Sequence, residues 1–251
     1  MAAAMASQLP PGAPPPLASL MEQGRVALFL DFDGTLVGIA PEPGAIDVPP
    51  DLASKLYALE ERLGGRLALI TGRALDDLES HLGEVSLCRA GSHGASRMRR
   101  DGSRLGEAPH GLPDEAVTAL RDYAATEDLY YETKTHGGAL HFRGKPDRAE
   151  STIAFARKVA AAHDLCVTSG KGVAELVRPG ANKGGAVRAF MAEDPFAGAT
   201  PIFVGDDVTD EDGMAAAIEF GGFGIAVGER HCEIARYALA NVATVHQWLD
   251  L

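Results

Sequence analysis

Val26-Ala27-Leu28-Phe29-Leu30-Asp31-Phe32-Asp33-Gly34-Thr35-Leu36 is the stretch on which the fold turns. Its first five residues are apolar and read as a strand buried on both faces. The strand ends in two acids, Asp31 and Asp33, which lie two positions apart and so project to the same side. Two carboxylates held together beside a buried strand repel, and their pKa values are driven apart. A divalent cation between them, or a proton on one of them, relieves that cost, and either is a route to chemistry.

A second acidic cluster follows a second apolar run. Pro201-Ile202-Phe203-Val204-Gly205 leads into Asp206-Asp207-Val208-Thr209-Asp210-Glu211-Asp212, where five acids fall within seven residues. All-oxygen ligation suits a hard ion such as Mg2+, which takes one or two carboxylates, a substrate phosphate and several waters. Between the clusters, Leu67-Ala68-Leu69-Ile70 runs into Thr71-Gly72-Arg73, a hydroxyl beside a bidentate cation. Asn182-Lys183-Gly184-Gly185 places an amine at the start of an expected helix.

These motifs sit in an alternating pattern. Strands are expected at 26–30, 66–70, 85–90, 201–204 and 223–227, and helices at 51–63, 75–82, 183–191, 208–219 and 245–249. Such alternation gives an α/β fold, a parallel sheet covered by helices, with ligands outside the carboxyl ends of the strands. The segment 97–179 departs from it. Three hairpins are legible there: one around Arg100-Asp101-Gly102, one across His136-Gly137-Gly138, and one across Ser169-Gly170-Lys171-Gly172. A helix beginning at Pro113 and another over 147–163 complete an α+β insertion. The expected division is therefore a core at 25–96 and 180–251, an inserted lid at 97–179, and a disordered Pro-rich tail over 1–24. Hinges are expected at the crossings near Ser96–Arg99 and Pro179–Asn182.

Composition narrows the function classes. At 251 residues and 46% hydrophobic, the chain can bury an ample core. A net charge of −12 argues against nucleic acid or an anionic membrane as partner. No apolar run is long enough to span a bilayer. The tail lacks a basic region and a long apolar region, so it does not read as a signal peptide. Cys88, Cys166 and Cys232 fit neither a zinc spacing nor a disulfide framework, and buried reduced thiols in a cytoplasmic enzyme are expected. Gly221-Gly222-Phe223-Gly224 precedes a strand, where a dinucleotide fingerprint follows one, and the chain has no P-loop motif.

The order of DxD, strand-end Thr, Lys and GDD motif resembles the haloacid dehalogenase (HAD) phosphohydrolase superfamily. That resemblance implies a Rossmann-like core with an inserted α+β C2-type cap. It implies Asp31 as nucleophile, Asp33 as general acid and base, and Thr71 and Lys183 as phosphoryl-binding groups. It implies Mg2+ held by the Asp31 carboxylate, the Asp33 carbonyl and the late acidic motif. Which of Asp206, Asp207 and Asp210 touches the ion is open; Asp206 is favoured because it comes first after the strand. Asp207 and Asp210 are candidates for orienting Lys183 or the ion's waters.

Glu132-Thr133-Lys134-Thr135-His136-Gly137-Gly138 and Ser169-Gly170-Lys171-Gly172-Val173-Ala174-Glu175 resemble the cap signatures of trehalose-6-phosphate phosphatases. Carried over by position, Glu132, Lys134, Lys171 and Glu175 hold the sugar of a sugar phosphate, joined by Gly72, Arg73, His93 and Gly94. Glu211 and Asp212 read as first-turn helix acids, His136 and His141 as surface residues, and Tyr130, Tyr131 and Phe142 as cap core. Alternatives are another sugar-phosphate phosphatase of the same fold, a phosphomannomutase-like phosphotransferase, and a non-enzymatic sugar-phosphate sensor. A serine hydrolase built on Ala90-Gly91-Ser92-His93-Gly94 leaves both acidic clusters unexplained.

Overall fold

The computed structural model describes residues 12–39, 46–107, 110–134, 136–170 and 172–251. The described residues fall into two compact units, one within residues 1–106 and 182–251, the other within Glu107–Ala181.

In chain order the first unit contains α1 (Leu17–Gln23), β1 (Val26–Leu30), α2 (Leu52–Arg62), β2 (Leu67–Ile70), α3 (Leu75–Leu82), β3 (Cys88–Gly91) and β4 (Ser96–Met98). The second unit contributes α4 (Asp114–Thr126), β5 (Tyr130–Lys134), β6 (Gly137–His141), α5 (Ala149–Ala162), β7 (Cys166–Gly170) and β8 (Val173–Val177). The first unit resumes with α6 (Lys183–Met191), β9 (Thr200–Gly205), α7 (Asp210–Glu219), β10 (Phe223–Val227), β11 (Ala235–Leu239) and α8 (Val242–Leu249).

Seven strands of the first unit form one sheet in the order β11-β10-β9-β1-β2-β3-β4. All neighbours are parallel except β3 and β4. From β1 the chain builds outward through β2 and β3, then returns to β9 on the other side. The order therefore reverses between β1 and β9, which is where an open α/β sheet places its ligand. All five β1 residues are buried. Leu28 and Leu30 face a core with Leu52, Leu56 and Leu59 of α2 and Val245 and Leu249 of α8. Ala27 and Phe29 face the opposite core, with Phe190 of α6 and Phe196, and rings of Phe29 and Phe196 stack at 5.5 Å. That alternation of faces is the reason a continuous apolar run is needed here.

The second unit is a four-stranded antiparallel sheet, ordered β5-β6-β8-β7. Tyr131, Leu140 and Leu176 pack with Leu120 of α4 and Ala156 and Val159 of α5. Both helices thus cover one face. Register puts Glu132 opposite Ala139 and Ala139 opposite Glu175, so these residues, with Lys134 and His141, share the other face.

Several expectations change. Residues 17–23 of the expected disordered tail form α1, because Leu17, Leu20 and Met21 make an apolar stripe at helical spacing. Leu17 is buried, and Trp248 Nε1 donates to the Pro15 carbonyl at 2.8 Å. The turn at Arg100-Asp101-Gly102 belongs to the first unit, since β4 pairs antiparallel with β3. The insertion accordingly runs over 107–181 rather than 97–179, and Ser96–Met98 is strand rather than hinge. β11 has no counterpart in the expected pattern. Lys134 pairs with Gly137, so Gly137 and Gly138 are strand residues and the turn is shorter than expected. Tyr130 is 67% exposed, outside the core in which Tyr131 and Phe142 lie.

Candidate active site

Asp31 leaves β1, Thr71 leaves β2, Asp206 leaves β9, and all three emerge at the carboxyl edge of neighbouring strands. Lys183 opens α6, whose N-cap Asn182 accepts a hydrogen bond from the Gly185 amide at 2.8 Å. The cap fixes the first turn and directs the amine inward. Lys183 Nζ lies 2.6 Å from Asp31 Oδ1 and 2.6 Å from Asp210 Oδ1, and all three side chains are buried. Asp31, Asp206 and Asp210 each offer an oxygen within 4.8 Å of the others.

The electrostatics follow from this crowding. Burial pushes the Asp31 carboxyl well above its ordinary range, and Asp210 adds to the push against the pull of Lys183. Burial, with Asp210 and Asp207 nearby, pushes Asp206 up to about 6. Burial alone would discharge Lys183, but the adjoining Asp31 and Asp210 carboxylates outweigh it and hold the amine above its ordinary value. One ammonium, bonded to two of them, thus stands among three carboxylates, and the excess negative charge raises the acids. All-oxygen donors with excess charge fit a hard divalent cation.

The expected ion-binding residues separate on this geometry. Asp206 and Asp210 join Asp31, whereas Asp207 is exposed and turns Oδ1 to the Val208 amide at 2.6 Å. Asp207 is not among the three carboxylates that this geometry brings together. Asp210 uses both oxygens, one for Lys183 and one for the Asp207 amide at 2.8 Å.

Asp33 stands apart from the cluster. Arg73 Nε donates to Asp33 Oδ2 and Nη2 to Asp33 Oδ1, each at 2.7 Å, while Nη1 donates to Asp77 at 2.7 Å. Arg73, expected against substrate, here grips Asp33. For Asp33 to act as an acid, at least one of its oxygens must leave that fork. Thr71 is buried, its hydroxyl accepting from the Arg73 amide at 3.1 Å.

Two glycines are dictated by close approach. Gly34 has φ +81°, and a Cβ there would strike the Asp206 carboxylate. Gly94 has φ +100°, and a Cβ there would strike the Asn182 carbonyl beside Lys183. Gly94 thus supports the start of α6. His93 lies with its ring over Gly72, 2.7 Å from where a Cβ would stand.

On the sheet face of the second unit opposite its two helices, Lys134 Nζ pairs with Glu175 at 2.9 Å and His141 Nε2 lies 2.8 Å from Glu132 Oε2. His141, expected as a surface residue, joins this polar cluster through Glu132. Its signal in the sequence is period-two alternation along β6, which puts His141 on the same face as Ala139. Lys171 lies outside the described residues. Thr35 is a further addition: it is buried, with Oγ1 3.5 Å from Asp31 Oδ2.

The sequence model described as trehalose-phosphatase matches residues 29–241, a span that includes both acidic clusters. The chain is 34% identical over 236 residues to the trehalose-6-phosphate phosphatase of Escherichia coli (strain K12), covering 90% of this chain and 86% of that protein. It is 40% identical over 210 residues to a probable trehalose-phosphate phosphatase of Sinorhizobium fredii (strain NBRC 101917 / NGR234), covering 80% and 77% of the two chains. In fold it is similar to the C-terminal domain of C. albicans trehalose-6-phosphate phosphatase, with a TM-score of 0.77 at 21% identity, covering 98% of this chain and all of that one. Similarity that spans the paired acids after β1, the lysine opening α6 and the acids after β9 places this chain in the trehalose-phosphatase family.

Proposed function

We propose that this protein hydrolyses trehalose 6-phosphate to trehalose and phosphate with the help of Mg2+. The observation that carries the reading is the buried Lys183 ammonium set between Asp31 and Asp210, with Asp206 completing a cluster fit for a divalent cation. Asp31, Asp206 and Asp210 are the groups that would hold Mg2+, with the Asp33 carbonyl as a further candidate. When bound, the ion supplies charge neutralisation and orientation of the phosphoryl group.

Asp31 attacks phosphorus, forming an Asp31–phosphorus bond as the bond to the sugar oxygen breaks. Asp33 gives its proton to that leaving oxygen. Water then attacks phosphorus, Asp33 takes the water's proton, and Asp31 leaves as a carboxylate. Lys183 and Thr71 stabilise the phosphoryl oxygens during both transfers. Arg73 holds Asp33 in place between turnovers.

The polar face of the second unit is the proposed sugar-recognition surface. Carboxylates of Glu132 and Glu175 accept from hydroxyls, and the Lys134 ammonium donates to them. Lys171 belongs to the same proposed set, as do Gly72, His93 and Gly94 near the phosphate end. The second unit would then act as a C2-type cap. We place the enzyme in the cytoplasm: its three cysteines are free, which suits a reducing compartment. Among the described residues no helix is long and apolar enough to cross a membrane.

Phosphate release with Mg2+ tests the reading across trehalose 6-phosphate, glucose 6-phosphate, sucrose 6-phosphate, mannose 6-phosphate and p-nitrophenyl phosphate. A strong preference for trehalose 6-phosphate, abolished by EDTA, is expected. Equal release from all five would remove the sugar assignment, and phosphate kept on sugar in place of release would indicate a mutase.

A further inference from the structure

Arg230 lies in the turn Gly228-Glu229-Arg230-His231 after β10 and takes no part in the reaction proposed above. Its guanidinium reaches the loop between β9 and α7. Nε donates to the Asp206 carbonyl at 3.1 Å, and Nη2 donates to the Asp207 carbonyl at 3.0 Å. Nη1 pairs with Glu211 Oε1 at 2.5 Å and reaches the His231 carbonyl at 3.4 Å.

The consequence lies in one peptide plane. In a trans peptide the carbonyl and the following N–H point in opposite directions. With the Asp206 carbonyl held by Arg230, the Asp207 N–H is directed the other way, where it donates to Asp210 Oδ2 at 2.8 Å. Asp210 Oδ1 then accepts from Lys183, and Lys183 donates to Asp31. A continuous series of hydrogen bonds therefore links Arg230 to the Asp31 carboxylate.

The geometry points to Arg230 as the positioning residue of the cation site, fixing the β9–α7 loop so that Asp206 and Asp210 present their carboxylates beside Asp31. This rests on the reading of Asp31, Asp206 and Asp210 as the divalent-cation site. A guanidinium fits the task because its planar fork meets adjacent carbonyls and a carboxylate at once, which an ammonium cannot do. Glu211 orients the fork from the first turn of α7. Partners that orient metal-binding groups without touching the metal are worth about 10- to 100-fold in affinity.

The test is Mn2+ binding, read by the electron paramagnetic resonance of the free ion, on the full chain and its Arg230→Gln, Arg230→Lys and Glu211→Gln variants. Arg230→Gln is expected to bind about 10- to 100-fold more weakly, with Arg230→Lys recovering little and Glu211→Gln losing less than either. At saturating Mg2+ the KM for trehalose 6-phosphate is expected to stay near the parent value, because Arg230 orients the ion's ligands only. Thermal unfolding in EDTA separates a general loss of stability from this effect. If Arg230→Gln does not fold, Arg230→Lys, which keeps the charge without the fork, decides. Affinity within about twofold of the parent in a folded Arg230 variant overturns the assignment. A parent protein that binds no Mn2+ overturns instead the cation-site reading on which it rests.

Discussion

Replacing Lys183 by Met removes one charge from the centre of the site and keeps a long unbranched side chain in its place. Lys183 is 3% exposed, and both of its partners, Asp31 at 4% and Asp210 at 0%, are equally cut off from water. Deleting one partner of a buried ion pair costs about 3–5 kcal/mol, because the remaining charge has lost its compensation. Here two carboxylates depend on one ammonium at 2.6 Å, so the upper half of that range applies when both are ionised. For a chain of this length such a loss lowers the melting midpoint by roughly 8 to 20 °C.

The deficit must also depend on pH. Burial already holds the Asp31 carboxyl above its ordinary range, and losing the ammonium raises it further. At acid pH Asp31 takes a proton and the uncompensated charge shrinks. Thermal unfolding in EDTA at pH 5 and pH 8 should therefore show a larger gap between variant and parent at pH 8. Divalent cation should recover part of it, since an ion that binds only the native state stabilises it. Turnover should fall about 100- to 1000-fold, the usual effect of deleting a charge-stabilising donor. A Lys183→Met protein melting within about 2 °C of the parent at both pH values would refute the picture of a buried, obligatory ammonium.

Other outcomes follow from the same geometry. Gly34→Ala places a methyl group against the Asp206 carboxylate at a backbone angle of φ +81°, so it should weaken Mg2+ binding in titration calorimetry and cost at least about 1 kcal/mol in stability. The Asp206 carboxyl, pushed up to about 6, is raised above its unfolded value. Its favourable contribution to the metal-free protein is therefore complete below about pH 4 and lost as pH rises through about 6. Thermal midpoints in EDTA should reveal that loss, and Asp206→Asn should flatten it. On the second unit, Lys134→Ala or Glu175→Ala should raise the KM for trehalose 6-phosphate by about 10- to 100-fold more than that for p-nitrophenyl phosphate, by loss of charge-assisted hydrogen bonds.

The core was legible because its strands are buried on both faces and therefore read as unbroken apolar runs. Asp31, Thr71 and Asp206 could be placed because each directly follows such a run, and parallel strands bring their ends to one edge. Lys183 was legible because Asn182 marks a helix start. Asp207 is adjacent to Asp206 and chemically identical, so nothing in its sequence position separates the two, and in the fold its Oδ1 accepts from the Val208 amide. Arg73 carries no signal for its fork on Asp33, a partner 40 positions earlier. Arg230 lies in no motif, and its role appears only when β10 is set beside β9. Residues 17–23 looked like a continuation of the Pro-rich tail, yet the spacing of Leu17, Leu20 and Met21 already described an apolar stripe. Ser96–Met98 read as the start of the insertion because a hairpin turn follows, although pairing with β3 keeps it in the core.

In the proposed reaction Asp31, held beside Lys183 and the acids after β9, becomes covalently phosphorylated. Rapid acid quenching with trehalose 6-phosphate labelled in its phosphoryl group measures this directly, with the labelled peptide located by mass spectrometry. Transient label is expected on Asp31, forming and decaying at rates consistent with turnover, with neither label nor turnover in Asp31→Asn. Undiminished turnover by Asp31→Asn, or label settling on another side chain, would contradict it.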